Sequence, residues 1–267
     1  MNEISNAVGD IMNMRSVGGR VIRTEVHTAP INTSEVAKIR AEEGCPDGYS
    51  IIYCGPSHGK KGGKHDGAET ISVSSVLRPS IFPSQSGFLL AMATVALIHA
   101  LEEYTDSRIG VVWPSAVYCN GHKVGSAGIE GKLRSAAEYE YLIINFSVSV
   151  SQSDFPSRLG DIIKKVFSGK KQTETCLMAD SILNQLFTMY NDPGRGGAFV
   201  NEYRERSLLR GHYVMLRDKN GIFRRAKVLG ISKNTEIILE NRDGSVSNVY
   251  SPSMVSLPKI HKKYIFR

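Results

Sequence analysis

The longest apolar stretch in the chain, Phe88 to Leu101, constrains the fold more than any other segment. It is too short to span a bilayer, carries His99 and runs directly into Glu102 and Glu103, so it reads as a helix buried in a protein interior. A buried helix needs a core around it. The chain's 267 residues suffice for a core domain of about 200 residues plus a smaller one. With 41% hydrophobic and 22% charged residues, the composition is ordinary for a folded chain and argues against extended disorder.

Several function classes recede on composition and spacing. The first residues, MNEISNAVGD, have neither a basic start nor an apolar run, so no secretory signal and a cytoplasmic setting are expected, with no membrane partner. Cys45, Cys54, Cys119 and Cys176 show no CxxC or CxxH spacing, which argues against a zinc site and a disulfide framework and for reduced thiols. The histidines are equally dispersed, with no HExxH, so no metal site is expected. The formal net charge of +7 fits an anionic partner, whether nucleic acid, nucleotide phosphate or an acidic protein, without choosing among them.

Asn32, Thr33 and Ser34 offer capping side chains ahead of EVAKIRAEEG, a short amphipathic helix closed by Gly44. Gly48 then releases a strand, YSIIYC, and after a glycine-rich basic loop the alternating segment TISVSSVLRP reads as a second strand. Beyond the helix over 88–104, IGVVW, HKVGSAGIE and YEYLIINFSVSV read as strands joined by turns such as Asn120-Gly121. Helices are expected at Phe155 to Phe167 and Thr175 to Tyr190. From Leu208 onward short strands separated by Lys-Asn-Gly, Lys-Asn and Arg-Asp-Gly turns indicate a small all-β barrel. The class is therefore α+β with a mixed sheet: an extension over 1–20, a main domain over 21–200, a glycine- and proline-rich boundary loop, and a barrel over 207–260.

The basic loop GPSHGKKGGKHDG carries the most chemistry. Gly55, Gly59, Gly62 and Gly63 let backbone approach a ligand closely, and Lys60, Lys61 and Lys64 supply positive charge, an arrangement suited to phosphate or adenylate. It is not a P-loop, because His65 follows Lys64, and it is not GxGxxG opening a helix. On its own, a solvated basic hairpin accounts for it equally well.

Taken in order, these segments resemble the biotin protein ligases, kin to lipoate ligases. Asn32-Thr33-Ser34 matches the family's STN-type motif; Ser57 to Gly63 matches its GRGRRGR loop; Leu77-Arg78-Pro79 matches LRP. Val112-Trp113-Pro114-Ser115-Ala116 stands where KWPND is expected, Asn120-Gly121-His122-Lys123 where NGxK is, and Gly125-Ser126-Ala127-Gly128-Ile129-Glu130 where AGILxE is. Asn145 to Val150 matches GIGINV. The resemblance implies a class II synthetase-like biotin/lipoate ligase catalytic domain followed by an SH3-like β-barrel.

It also implies a two-step reaction: biotin and Mg-ATP form biotinyl-AMP, which a lysine of a carboxylase's biotin carrier domain then captures. Such chemistry rests on positioning and on cations at the charged phosphorus, and here the matched positions depart from the family. The lysine is Val112 and the aspartate Ala116; His58 and Gly63 replace loop arginines, Ser149 replaces the asparagine of GIGIN, and Cys54 stands for a glutamine before the loop.

Two readings follow. In one, a divergent ligase cradles the adenylate with His58, Gly59, Lys60, Lys61, Gly62, Lys64 and Lys123, while Asn32, Thr33, Ser34, Cys54, Ser126 and Ser149 hold the ligand and Val112 and Trp113 pack behind, with activity weak or lost. In the other, a non-catalytic relative keeps the fold to bind a ligand or a protein. Homodimerisation stays open. Nucleic-acid binding through the loop and the tail Lys259 to Tyr264 lacks any element that reads bases.

Overall fold

The structure, a computed structural model, describes residues 11–27, 29–56, 69–150, 172–192, 196–217 and 220–256. The expected helix over 155–167, the loop residues His58, Gly59, Lys60, Lys61, Gly62 and Lys64, and the tail from 259 lie outside them.

Eight strands form one sheet in the order β1-β2-β3-β4-β8-β7-β6-β5. They are β1 (Ile11–Val17), β2 (Arg20–His27), β3 (Ser50–Pro56), β4 (Glu69–Leu77), β5 (Ile109–Val112), β6 (Ala116–Cys119), β7 (His122–Ser135) and β8 (Glu138–Val150). β2 and β3 pair in parallel, and the other neighbours are antiparallel. A parallel pair needs a crossover, and α1 (Thr33–Glu42) provides it. The α+β class with a mixed sheet is thus present. β1 lies within the stretch read as an extension, where it pairs with β2 along its whole length.

The two faces of the sheet differ in chemistry, and this difference places the site. One face carries Ile52, Ile71, Val73, Ile144, Phe146 and Val148 against α2 (Ser86–Glu102), α3 (Gln172–Tyr190) and α4 (Gly196–Glu205). Ala91 to Ile98 of α2 are all buried, as the apolar run requires. With its preceding turn, Pro83–Glu102 has the length and composition to cross a bilayer, but here that apolar surface is spent on the core. Among the described residues the other face meets α1, through Ala37, Ala41, Tyr49, Ile51, Val76, Tyr141 and Ile143.

The stretch expected as a boundary loop contains α4. Val200 and Tyr203, three residues apart on one helix face, are both buried, and His99 and Arg206 pair with Glu202 at 2.9 and 3.0 Å. Burial of that face outweighs the roughly 1 kcal/mol that each glycine costs a helix, a gain invisible to local propensity.

The small all-β part consists of β9 (Tyr213–Arg217), β10 (Phe223–Ile231), β11 (Ile237–Glu240), β12 (Val246–Val249) and β13 (Val255–Ser256). Its order is β12-β11-β10-β9-β13, and among the described residues β12 and β13 do not pair, so the described strands form an open sheet where the sequence anticipates a closed barrel. Val214, Ala226, Val228, Ile237 and Leu239 join the main core, and Trp113 Nε1 donates to the Thr235 carbonyl at 2.9 Å.

Candidate functional site

The α1 face of the main sheet is polar where α1 begins. Cross-strand register places Val112, Ala116, Ser126, Ser147, Ser72 and Tyr53 in one row across β5, β6, β7, β8, β4 and β3, and directly paired residues share a face. A second row holds Gly128, Asn145, Ser74 and Ile51. Ser147 is exposed and Ser72, Ser126, Gly128 and Asn145 are half-buried, so hydroxyls and one amide pave an open floor. None of these positions carries a charge.

α1 delivers Asn32, Thr33 and Ser34 to the edge of this floor. The Asn32 side chain caps the helix, accepting from the Ser34 and Glu35 amides at 3.1 and 3.4 Å. Thr33 is buried and its Oγ1 accepts from Ser74 Oγ at 2.8 Å. Ser34 Oγ donates to Glu130 Oε1. Glu130 also accepts from Asn145 Nδ2 at 2.9 Å and pairs through Oε2 with Lys38 Nζ at 2.9 Å. Burial pushes the Glu130 carboxyl up, but the bonds from Ser34, Lys38 and Asn145 outweigh it and hold the carboxyl below its ordinary value.

Two further clusters hold α1 in place. Arg78 of the LRP segment satisfies helix-end carbonyls, donating from Nη2 to Ala41 O at 2.9 Å and from Nε to Cys45 O at 3.2 Å, which answers the orphaned carbonyls of a helix C-terminus. Glu25 of β2, 1% exposed, accepts from Arg40 Nε and Nη2 at 2.8 and 2.9 Å, from Tyr49 OH at 2.8 Å and hydrogen-bonds His27 Nε2 at 2.9 Å. Burial raises its carboxyl, yet these partners hold it far below the carboxylate range.

The structure therefore brings Asn32, Thr33, Ser34 and Ser126 to one face, joins Val112 to their row by strand pairing while burying it in the main hydrophobic core, and scatters other expected residues. Cys54 alternates with Tyr53 and packs toward the hydrophobic core on the opposite face. Val112 ends the first row, 1% exposed. Trp113 is buried, followed by a cis bond to Pro114. Lys123 is exposed at the hairpin end of β7. Ser149 pairs with Thr70 through the β4–β8 register, and its side chain lies outside the described residues. Cys45, Cys54 and Cys119 are thiols outside any disulfide.

Sequence reading missed Glu130 as the hub of the floor's edge, named Asn145 only as the start of the GIGINV match, and missed Glu25 altogether. Only cross-strand pairing unites Glu130 with Ser34 and Asn145. The Glu-Val-His alternation in β2 was the one local hint for Glu25.

At Gly128 the floor meets a cleft of about 1030 Å³, lined among others by Phe88, Trp113, Ser115, Tyr203, Thr235 and Tyr250. It lies between the start of α2, β7 and the small sheet. Among the described residues no group of three or more His, Cys, Asp or Glu comes together to hold a metal. Glu130 is the floor's carboxylate, and both its oxygens are engaged by Ser34, Asn145 and Lys38, so the described residues do not fit a resident magnesium ion.

The architecture is an α+β fold, a mixed sheet with an apolar face under helices and a polar face crossed by one helix N-terminus. Among solved structures it resembles a biotin protein ligase-like protein of unknown function from Silicibacter sp. TM1040, with a TM-score of 0.62 at 14% identity over 85% of this chain and 93% of that one. It resembles equally a variant of the Aquifex aeolicus biotin protein ligase in complex with biotin, at TM-score 0.64 and 18% identity over 88% and 97%. The same Aquifex enzyme in complex with biotin and ATP gives TM-score 0.59 at 18% identity over 87% and 97%. No family model matches the chain. In sequence it is 26% identical over 185 residues to the bifunctional ligase/repressor BirA of Bacillus subtilis, covering 67% of this chain and 56% of the relative. The chain thus spans about half the length of that relative. In fold the chain is thus similar to biotin protein ligases, and in sequence it is similar to BirA over two thirds of its own length.

Proposed function

We propose that this protein is a biotin protein ligase-like protein that keeps the family's ligand-binding face while its ATP-dependent ligase activity is weak or lost. In this reading residues 21–200 form the ligand-binding unit, 207–260 form an SH3-like unit, and the setting is cytoplasmic. One observation carries it: the row that ends in Val112 and Ala116 is neutral from end to end, where the resemblance calls for a lysine and an aspartate. Losing one preorganised charge donor costs a hundred- to a thousandfold in rate, about 3–4 kcal/mol. Ser34, Ser126 and Asn145 remain as polar partners for a biotin-type ligand, and the basic loop over 57–64 remains the source of cations for any residual adenylate chemistry, with a biotin carrier domain as acceptor.

The test is thermal stability with biotin, Mg-ATP and a non-hydrolysable biotinyl-AMP mimic, followed by biotin transfer to a carrier domain. A ligand at about 100 times its Kd adds about 2.7 kcal/mol. Biotin should raise the melting temperature, and the transfer rate should fall at least a hundredfold below that of a ligase with the lysine present. A transfer rate matching such a ligase would defeat the reading.

A further inference from the structure

Between Leu208 and Ser256 the chain carries eight Arg or Lys against four Asp or Glu, so more than half of its net charge of +7 falls in the small sheet. That sheet spends one face on the core, through Val214, Ala226 and Val228, and strand alternation turns their neighbours outward. Tyr213, Met215 and Phe223 are exposed there, at 47%, 38% and 48%. Register sets each ring opposite a cation: Phe223 pairs with Arg217 and Tyr213 with Lys227. Arg225, opposite Met215, has its Cζ 3.8 Å from the centre of the Tyr213 ring, a cation–π contact that holds the guanidinium in place before any ligand arrives. Glu240 faces Lys227 across β10 and β11, so the surplus charge of this face rests on Arg217 and Arg225.

A cleft opens beside the same strands. β9 pairs with the first half of β10, from Phe223 to Lys227, while β11 pairs with it only from Lys227 onward. Next to the stretch that β11 leaves uncovered lies a cavity of about 620 Å³, with Arg224, Arg225 and Arg242 in its wall and Asp243 as the acid among its described lining residues. Asp243 Oδ1 already accepts from the Ser245 amide and hydroxyl at 3.0 and 2.6 Å. Three guanidiniums around one engaged carboxylate suit a phosphodiester, whose oxygens match the guanidinium fork.

We infer that the small sheet binds single-stranded nucleic acid, with phosphates in the arginine cleft and a base stacked on Phe223. Such binding takes cations that follow the backbone and rings that receive unstacked bases, and it needs no contact that reads sequence. A duplex keeps its base faces stacked on one another and has none to offer. An anionic bilayer takes apolar groups gathered together, with cations around them. Here each ring has a cation directly across the ladder, and seating the rings below the headgroups would drag Arg217 and Lys227 down with them. The assignment is independent of the ligand-binding reading and of the basic loop over 57–64.

Fluorescence anisotropy of labelled oligothymidylate on the full chain tests this, with duplex DNA of equal length, inorganic polyphosphate of equal charge and phosphatidylserine vesicles as competitors. The single strand should bind at least tenfold more tightly than duplex or polyphosphate, and the vesicles should not displace it. Phe223→Ala should weaken the oligonucleotide about tenfold and polyphosphate less than twofold, since stacking is lost and charge is kept. Arg225→Ala/Arg242→Ala should flatten the plot of log Kd against log salt by about 1.4, two phosphate contacts at about 0.7 each. All three positions are exposed, so the melting temperature of these variants should stay near that of the wild type. Lys60→Ala/Lys61→Ala/Lys64→Ala should leave the affinity within threefold. No binding of the single strand, equal loss of oligonucleotide and polyphosphate in Phe223→Ala, displacement by vesicles, or binding that follows the loop lysines instead of the arginines overturns the inference.

Discussion

Replacing Glu25 by glutamine should loosen the helix that delivers Asn32, Thr33 and Ser34, although Glu25 lies on the other side of α1 from the floor. Its side chain is 2% exposed and accepts both Arg40 bonds, while Arg40 is 34% exposed. Removing one partner from a buried pair costs about 3–5 kcal/mol. Because Arg40 recovers part of its hydration, solvent screening lowers this to about 2–3 kcal/mol. At about 2–4 °C per kcal/mol for 150–250 residues, thermal unfolding followed by circular dichroism should show a fall of about 4–12 °C at pH 7. The pH dependence has a defined sign. Glu25 is held below its ordinary value in the folded state, so its contribution is complete above the unfolded carboxyl pKa of about 4.3 and is lost as pH falls through the lower folded value. The gap between wild type and Glu25→Gln should stay constant from neutral pH down to the carboxylate range and narrow below it. The double variant Glu25→Gln/Arg40→Met should recover part of the loss, since no unpaired charge remains. A fall below about 2 °C, or a gap that widens in acid, would refute the reasoning.

Three further perturbations probe the site and its support. Glu130→Gln removes the charge that gathers Ser34, Lys38 and Asn145, so amide hydrogen exchange in the first turn of α1 should quicken at pH 7; unchanged exchange there would count against the hub. Trp113→Phe loses the 2.9 Å bond to Thr235 O, worth about 1 kcal/mol, and should lower the melting temperature by about 2–4 °C; an unshifted melt would show that the bond contributes nothing. Gly110→Ala places a carbon 2.5 Å from Leu208 Cδ2 and should cost about 1–3 kcal/mol by overpacking, read as a lower denaturant midpoint at unchanged slope.

The buried helix α2, the α1 start at Asn32, the alternating strands and the turn to short strands after Leu208 are legible in the chain alone, because each is written in local periodicity, capping and turn chemistry. The chain also displays the substitutions at Val112 and Ala116, which need no coordinates to see. Tertiary structure decided the rest. α4 forms across glycines because Val200 and Tyr203 find a core to fill. Register alone turns Cys54 away from the face that Ser126 and Asn145 share, since neighbouring residues in a strand point to opposite sides. Glu130 became a hub through partners 96 and 15 residues away in the chain, and no local pattern encodes a contact that exists only once the strands have paired.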